Sequence, residues 1–165
     1  MKTLPQLQQE FETENRITRS FMELVPEDKF DWKPHEKSMT LKQLAVHLAE
    51  IPSWPENIVR HEELNFEDGG YEPTPVEDKE QLLNLFNKSA DKGSKALQTA
   101  GEADLDRPWV MKSGEQVLME LNKYEAIRHG LNQTTHHRAQ LGVYFRLLDI
   151  PVPASYGPSA DKQDF

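Results

Sequence analysis

Between Pro5 and Leu24 the apolar residues Leu7, Phe11, Ile17, Phe21 and Leu24 recur near helical spacing, with Asn15 and Thr18 interrupting the stripe. The spacing predicts a first helix, ended by Pro26. The segment "PEDKFDWKPHEKSMT" mixes charge with two prolines and reads as a connection up to Thr40, which is placed to cap a second helix. There Leu41, Leu44, Ala45, Leu48 and Ile51 form an apolar face, with Val46 and His47 on or beside its edge. Pro52 and Pro55 each remove a backbone donor, so this helix should kink or split near Ser53.

The acidic, glycine-containing stretch "NFEDGGYEPTP" reads as a loop. "TPVE" then looks like a helix start, with Thr74 at the cap, Pro75 in the first turn and Glu77 reaching back, opening a third helix that runs to about Ala100. From Arg107 to Leu121 the period changes to two, with Trp109 and Met111 before Ser113-Gly114 and Val117, Met119 and Leu121 after it, which predicts a β-hairpin. Asn122 and Glu125 make a capping box for a last helix reaching about Asp149, closed by Pro151 and Pro153. The expected architecture is all-α, four long helices with a short β-hairpin before the last, in a single domain spanning residues 1–165. A tail, "PVPASYGPSADKQDF", has no period and is expected to lie against the helices or fray.

Charge and composition narrow the function. With 28 acidic against 19 basic residues the net charge is −9, and no Lys/Arg block interrupts it, so the field repels phosphate backbones and argues against nucleic acid. No apolar run approaches the roughly 18 residues needed to span a bilayer, and the N-terminus turns polar too early for a signal peptide, so we expect a cytoplasmic protein without a membrane partner. Cysteine is absent, which removes disulfides, thiolate ligands and a thiol nucleophile together. Nucleotide-binding and serine-hydrolase motifs are missing, and the paired Gly69 and Gly70 sit in an acidic loop ill suited to phosphate.

Any soft-ligand metal chemistry must therefore run on histidine, and the last helix carries "NQTTHHRAQ". Gln133 and His137, four apart, project about 40° apart and face one small object, with His129 a turn earlier on the same side. His136 is displaced by about 100° from His137 and reads as a bystander at the surface or an interface. A site in a bundle core needs donors from facing helices, and His47 is the natural second one. Glu50, three residues on, is a candidate proton acceptor or ligand partner. Taken singly, each has a plainer reading: His47 as a core-edge imidazole, Glu50 as a solvated carboxylate, Arg138 as a surface or interface cation, His35 and His61 as solvated rings, and Trp32, Trp54 and Trp109 as core or interface anchors.

The two segments "HEKSMTLKQLAVHLAEIPSW" and "LNQTTHHRAQLGVYFRLLDIPVPASYGPSAD" together resemble the DinB-like family of bacterial damage-inducible proteins, over nearly the whole chain. The second segment is the more specific, since family members read N-H-x-x-H-H-R-G-Q-L there. The resemblance implies an antiparallel four-helix bundle, often a homodimer, holding a divalent metal such as nickel or zinc. By position the ligands would be His47, Gln133 and His137. Gln133 departs from the family's histidine, and Ala139 from its glycine. A neutral amide is a poorer donor than imidazole, so affinity should fall. Three arrangements stay open: a weakened site on these residues, a rearranged one recruiting His129 or Glu50, or a pocket kept only for packing.

Relatives in this superfamily transfer low-molecular-weight thiols such as bacillithiol to electrophiles, or isomerise with mycothiol. The resemblance thus implies a metal-dependent enzyme of stress or detoxification acting on a small-molecule substrate, by thiol transfer or by hydrolysis with Glu50 as base. The alternatives are a non-enzymatic dimeric stress protein with a decayed metal site, and a ligand binder without turnover.

Overall fold

The computed structural model describes residues 2–67 and 72–163; Gly69 and Gly70 lie outside them. Helix α1 spans Leu4–Met22, α2 Leu41–Glu50, α3 Trp54–Arg60, α4 Lys79–Thr99 and α5 Lys123–Leu147. Three strands, β1 (Glu63–Asn65), β2 (Pro108–Ser113) and β3 (Gln116–Asn122), form a small sheet in that order. The architecture is an antiparallel helical bundle with the sheet at one end. Helices α1 and α2 each pack against both α4 and α5, so α1 stands diagonally across the bundle from α2, and α4 from α5.

Local chemistry explains most of the boundaries. Thr40 caps α2 by accepting from the Gln43 N–H while the Gln43 side chain accepts from the Thr40 N–H, and Asn122 and Glu125 do the same for α5. The hairpin forms as β2 paired antiparallel with β3, and Gly114 at its turn has a positive φ of 57°. Strand β1, unforeseen by the pattern, adds in parallel to β2 with Glu63 opposite Val110. At three residues it is too short to show a period of its own.

The third helix starts later than its sequence suggests. Asp78, not Thr74, is its cap, accepting from the Gln81 N–H at 2.7 Å. Thr74 instead donates both its N–H and its hydroxyl to the Glu50 carboxylate, at 2.8 and 2.6 Å. A charged acceptor from another helix has outcompeted a local cap.

Pro52 breaks α2 as expected, giving a 3-10 turn over Ile51–Ser53 before α3. Helix α4 closes onto this turn through Gly93, where a Cβ would stand 2.0 Å from the Pro52 carbonyl oxygen and 2.6 Å from Phe11 Cζ. On either side of the turn lie two apolar clusters. One gathers Phe21, Met22, Leu41, Leu44, Leu48, Phe86 and Phe145. The other holds Leu7, Phe11, Ile58, Leu97, Trp109 and Ile127, and Trp54 touches both.

In an exposed helix Gly→Ala stabilises by about 1 kcal/mol. At position 93 the sign should reverse: Gly93→Ala is expected to lower the unfolding free energy by about 1–3 kcal/mol in urea denaturation, because the methyl group meets backbone that has nowhere to move. A stabilised variant would show that α4 stands off from the Pro52 turn.

Candidate functional site

Between the two apolar clusters runs a polar belt. Glu14 and Thr18 from α1 and Thr134, His137 and Arg138 from α5 are all buried there. Arg138, only 2% exposed, donates to the Glu14 carboxylate at 2.7 Å, to the Glu14 backbone carbonyl at 3.2 Å and to Thr18 Oγ1 at 3.0 Å. Its surface reading is therefore overturned: an ion pair across 124 residues of sequence holds it inside. The tail joins this network through Tyr156, whose hydroxyl donates to the Glu14 carboxylate at 2.9 Å and accepts from Arg138 at 2.7 Å. Arg146 also holds the tail, through Asp161.

With Arg138 turned toward α1, the residue before it faces α2. The His137 and His47 rings meet edge to face, their centroids 4.6 Å apart. Burial pushes both imidazoles below their ordinary pKa. For His47 the nearby His137 adds to that effect while Glu50 opposes it. For His137 the bond with Gln140 opposes it and His136 adds to it. Both rings are neutral at pH 7, the state in which an imidazole nitrogen donates to a metal.

His137 is held on both sides by amides of its own helix, with Gln140 3.0 Å from Nδ1 and Gln133 3.0 Å from Nε2. His136 is exposed, as its spacing suggests, and Gln140 reaches its Nε2 at 3.1 Å, which links it to His137. His129 does not join the imidazole pair. It stacks on Trp54 at 6.4 Å, and His47 meets the same indole edge-on at 6.1 Å. Glu50 stands near enough to His47 to raise its pKa, and its Oε1 is held by Thr74. Trp32 packs on Tyr144, and Trp109 is buried in the second cluster.

As a donor set for a divalent cation, this arrangement offers two neutral imidazoles from facing helices and one amide. Among the described residues no group of three or more His, Cys, Asp or Glu side chains is assembled for a metal. The donors brought together are two imidazoles and the Gln133 amide, and the amide is the weakest of the three toward a divalent cation. Gln140, Thr74, Glu14 and Tyr156 escaped sequence reasoning. For Gln140 a signal existed, since it lies three residues from His137 and four from His136, both facing distances on a helix.

The family model described as DinB family matches residues 1–164. Among solved structures, a DinB-like protein from Bacillus subtilis is 19% identical, with 97% of this chain and 99% of that chain covered and a TM-score of 0.71. Another from Bacillus cereus is 18% identical, with 93% and 97% covered and a TM-score of 0.72. At these identities the likeness is one of fold. No curated protein matches the chain.

Two outcomes follow from the belt. Removing Arg138 leaves the Glu14 carboxylate buried without its cation, so Arg138→Met should cost about 3–5 kcal/mol of stability. Tyr156→Phe, which removes only the hydroxyl, should cost about 1–3 kcal/mol, both read by chemical denaturation. The imidazoles set a pH dependence. Because their folded pKa values are depressed, the unfolded chain takes up protons first as pH falls below about 6.5. Their contribution to stability is therefore intact above that pH and declines below it. Between about pH 7.5 and about pH 5.5 the metal-free protein should lose stability more steeply than the His47→Gln/His137→Gln double variant. Equal slopes would mean the rings titrate as in the unfolded chain.

Proposed function

The chain belongs to the DinB family, and on that footing we propose that the junction of α2 and α5 is a divalent-metal site serving a small-molecule reaction, with His47 and His137 as ligands and the Gln133 amide as a weak third. The observation that carries the reading is the pair of neutral imidazoles from facing helices, 4.6 Å apart at the edge of the core. His47 and His137 would hold a divalent metal there, nickel or zinc, and its Lewis acidity would favour deprotonation of a thiol or water.

The chain's own residues supply the rest. Trp54 covers one side of His47 with an apolar ring. Thr74 holds the Glu50 carboxylate beside His47, where it serves as the proton acceptor. The protein has no thiol of its own, so a thiol nucleophile must come from a low-molecular-weight cosubstrate. The reaction class we favour is transfer of such a thiol to an electrophile in stress or detoxification, in a homodimeric protein. No helix among the described residues is long and apolar enough to cross a membrane.

A second reading is favoured by the Gln133 contact, in which the amide oxygen stands 3.0 Å from Nε2 of His137. In it the family's metal position has become an internal hydrogen bond, and the protein is a non-enzymatic dimeric stress or ligand-binding protein.

Titration of purified, untagged protein with nickel and zinc separates the two. The metal reading expects about one ion per chain, lost in His47→Ala and in His137→Ala, and bound on the order of tenfold or more tightly in Gln133→His. Uptake by Gln133→His alone, with none by the native protein, would overturn it and leave the second reading in place.

A further inference from the structure

The tail does more than reach into the polar belt. With α1 and α5 it bounds a pocket of about 430 Å3, within the range of about 300–1,000 Å3 common to small-molecule sites. Phe21 of α1 and Val143 of α5 give it apolar walls, and Val152, Pro153 and Pro158 close it from the tail. At Gly142 a Cβ would stand 3.4 Å from Phe21 Cε1 and 3.6 Å from Val152 Cγ1, between two of these walls. Arg146, which also lines the pocket, comes nine residues after His137 and projects about 180° from it. The pocket and the imidazole pair therefore lie on opposite sides of α5.

Its charge sets the pocket apart from a chain with 28 acidic and 19 basic residues. Arg138 and Arg146 both line it, and among the described residues no Asp or Glu does. Arg138 is committed inward, since Glu14, Thr18 and Tyr156 accept from its terminal nitrogens. Arg146 is differently placed. It is exposed, and both its terminal nitrogens donate to the Asp161 carboxylate. The fork of a guanidinium takes a carboxylate with two parallel bonds, so Arg146 already displays the group it is shaped to bind. A surface ion pair of this kind contributes little, and another carboxylate can take its place. Asp161 then keeps a second partner, the Val152 N–H at 2.9 Å.

We infer that this pocket is a second small-molecule site, which takes an apolar carboxylate. The hydrocarbon body lies against Phe21, Val143 and the tail prolines, and the head group displaces Asp161 from Arg146. The site goes beyond the metal reading and does not depend on it, because none of His47, Gln133 and His137 lines the pocket.

The experiment is calorimetric titration of metal-free protein with octanoate and with octanamide, which has the same body and no charge. Octanoate should saturate one site per chain, and octanamide should bind on the order of tenfold more weakly. Arg146→Gln should bring octanoate down to the level of octanamide and leave octanamide unchanged. Asp161→Asn retains an oxygen for the Val152 N–H but frees the guanidinium, so it should tighten octanoate alone. Gly142→Leu, which fills the space between Phe21 and Val152, should weaken both probes.

Absence of saturable octanoate binding would overturn the inference, as would equal affinity for the two probes or indifference of octanoate to Arg146→Gln. The exposed Val143 tests the other occupant of this face. Dimerisation abolished by Val143→Glu, with no octanoate bound, would assign the face to a second copy of the chain and overturn the ligand site.

Discussion

A guanidinium sealed inside a protein must find its counter-charge there, and Arg138 finds it in Glu14. That requirement fixes the rotation of α5 against α1. Successive helical residues diverge by about 100°, so once Arg138 is committed to α1, His137 is committed to α2. The ion pair carries no chemistry of its own. It aims the neighbouring side chain, and the site inherits its precision from a contact on the other side of the helix.

The facing element is set by a different constraint. Pro52 ends α2 five residues after His47, and Gly93 lets α4 close over the resulting turn. Without a side chain at Gly93, the backbone carbonyl of Pro52 has room against α4. The turn swings Trp54 back over His47, and Thr74 ties Glu50 from the far side of the following loop. Two proline and glycine positions thus place an indole and a carboxylate around one imidazole, using backbone geometry where a longer helix would have carried both residues away.

How much of this can be read without coordinates depends on the range of the interaction. The capping boxes at Thr40 and Asn122, the break at Pro52 and the turn at Gly114 are local, and each is recognisable from residues within four positions. Thr74 misleads because its sequence context is a good cap, while the partner that claims it lies 24 residues earlier. Arg138 misleads for the same reason at greater distance, since nothing near it says that Glu14 is waiting. His47, Gln133 and His137 stand out through helical spacing and family resemblance, and the same spacing puts Gln140 within reach of His136 and His137.

The polar belt also bears on how the chain comes to be folded. Its ion pair joins a residue of α1 to one of α5, and its hydroxyl arrives from Tyr156, beyond α5. During synthesis α1 and α2 emerge first, but the helices they chiefly pack on, α4 and α5, come later. The apolar stripe of α1 therefore waits for most of the chain to be made, and the charge of Glu14 stays in water until then. Contacts of such long separation are slow to close and leave apolar surface exposed in the meantime. The bundle is in this sense stitched from α5 and the segment after it, its middle closing only once both have been made.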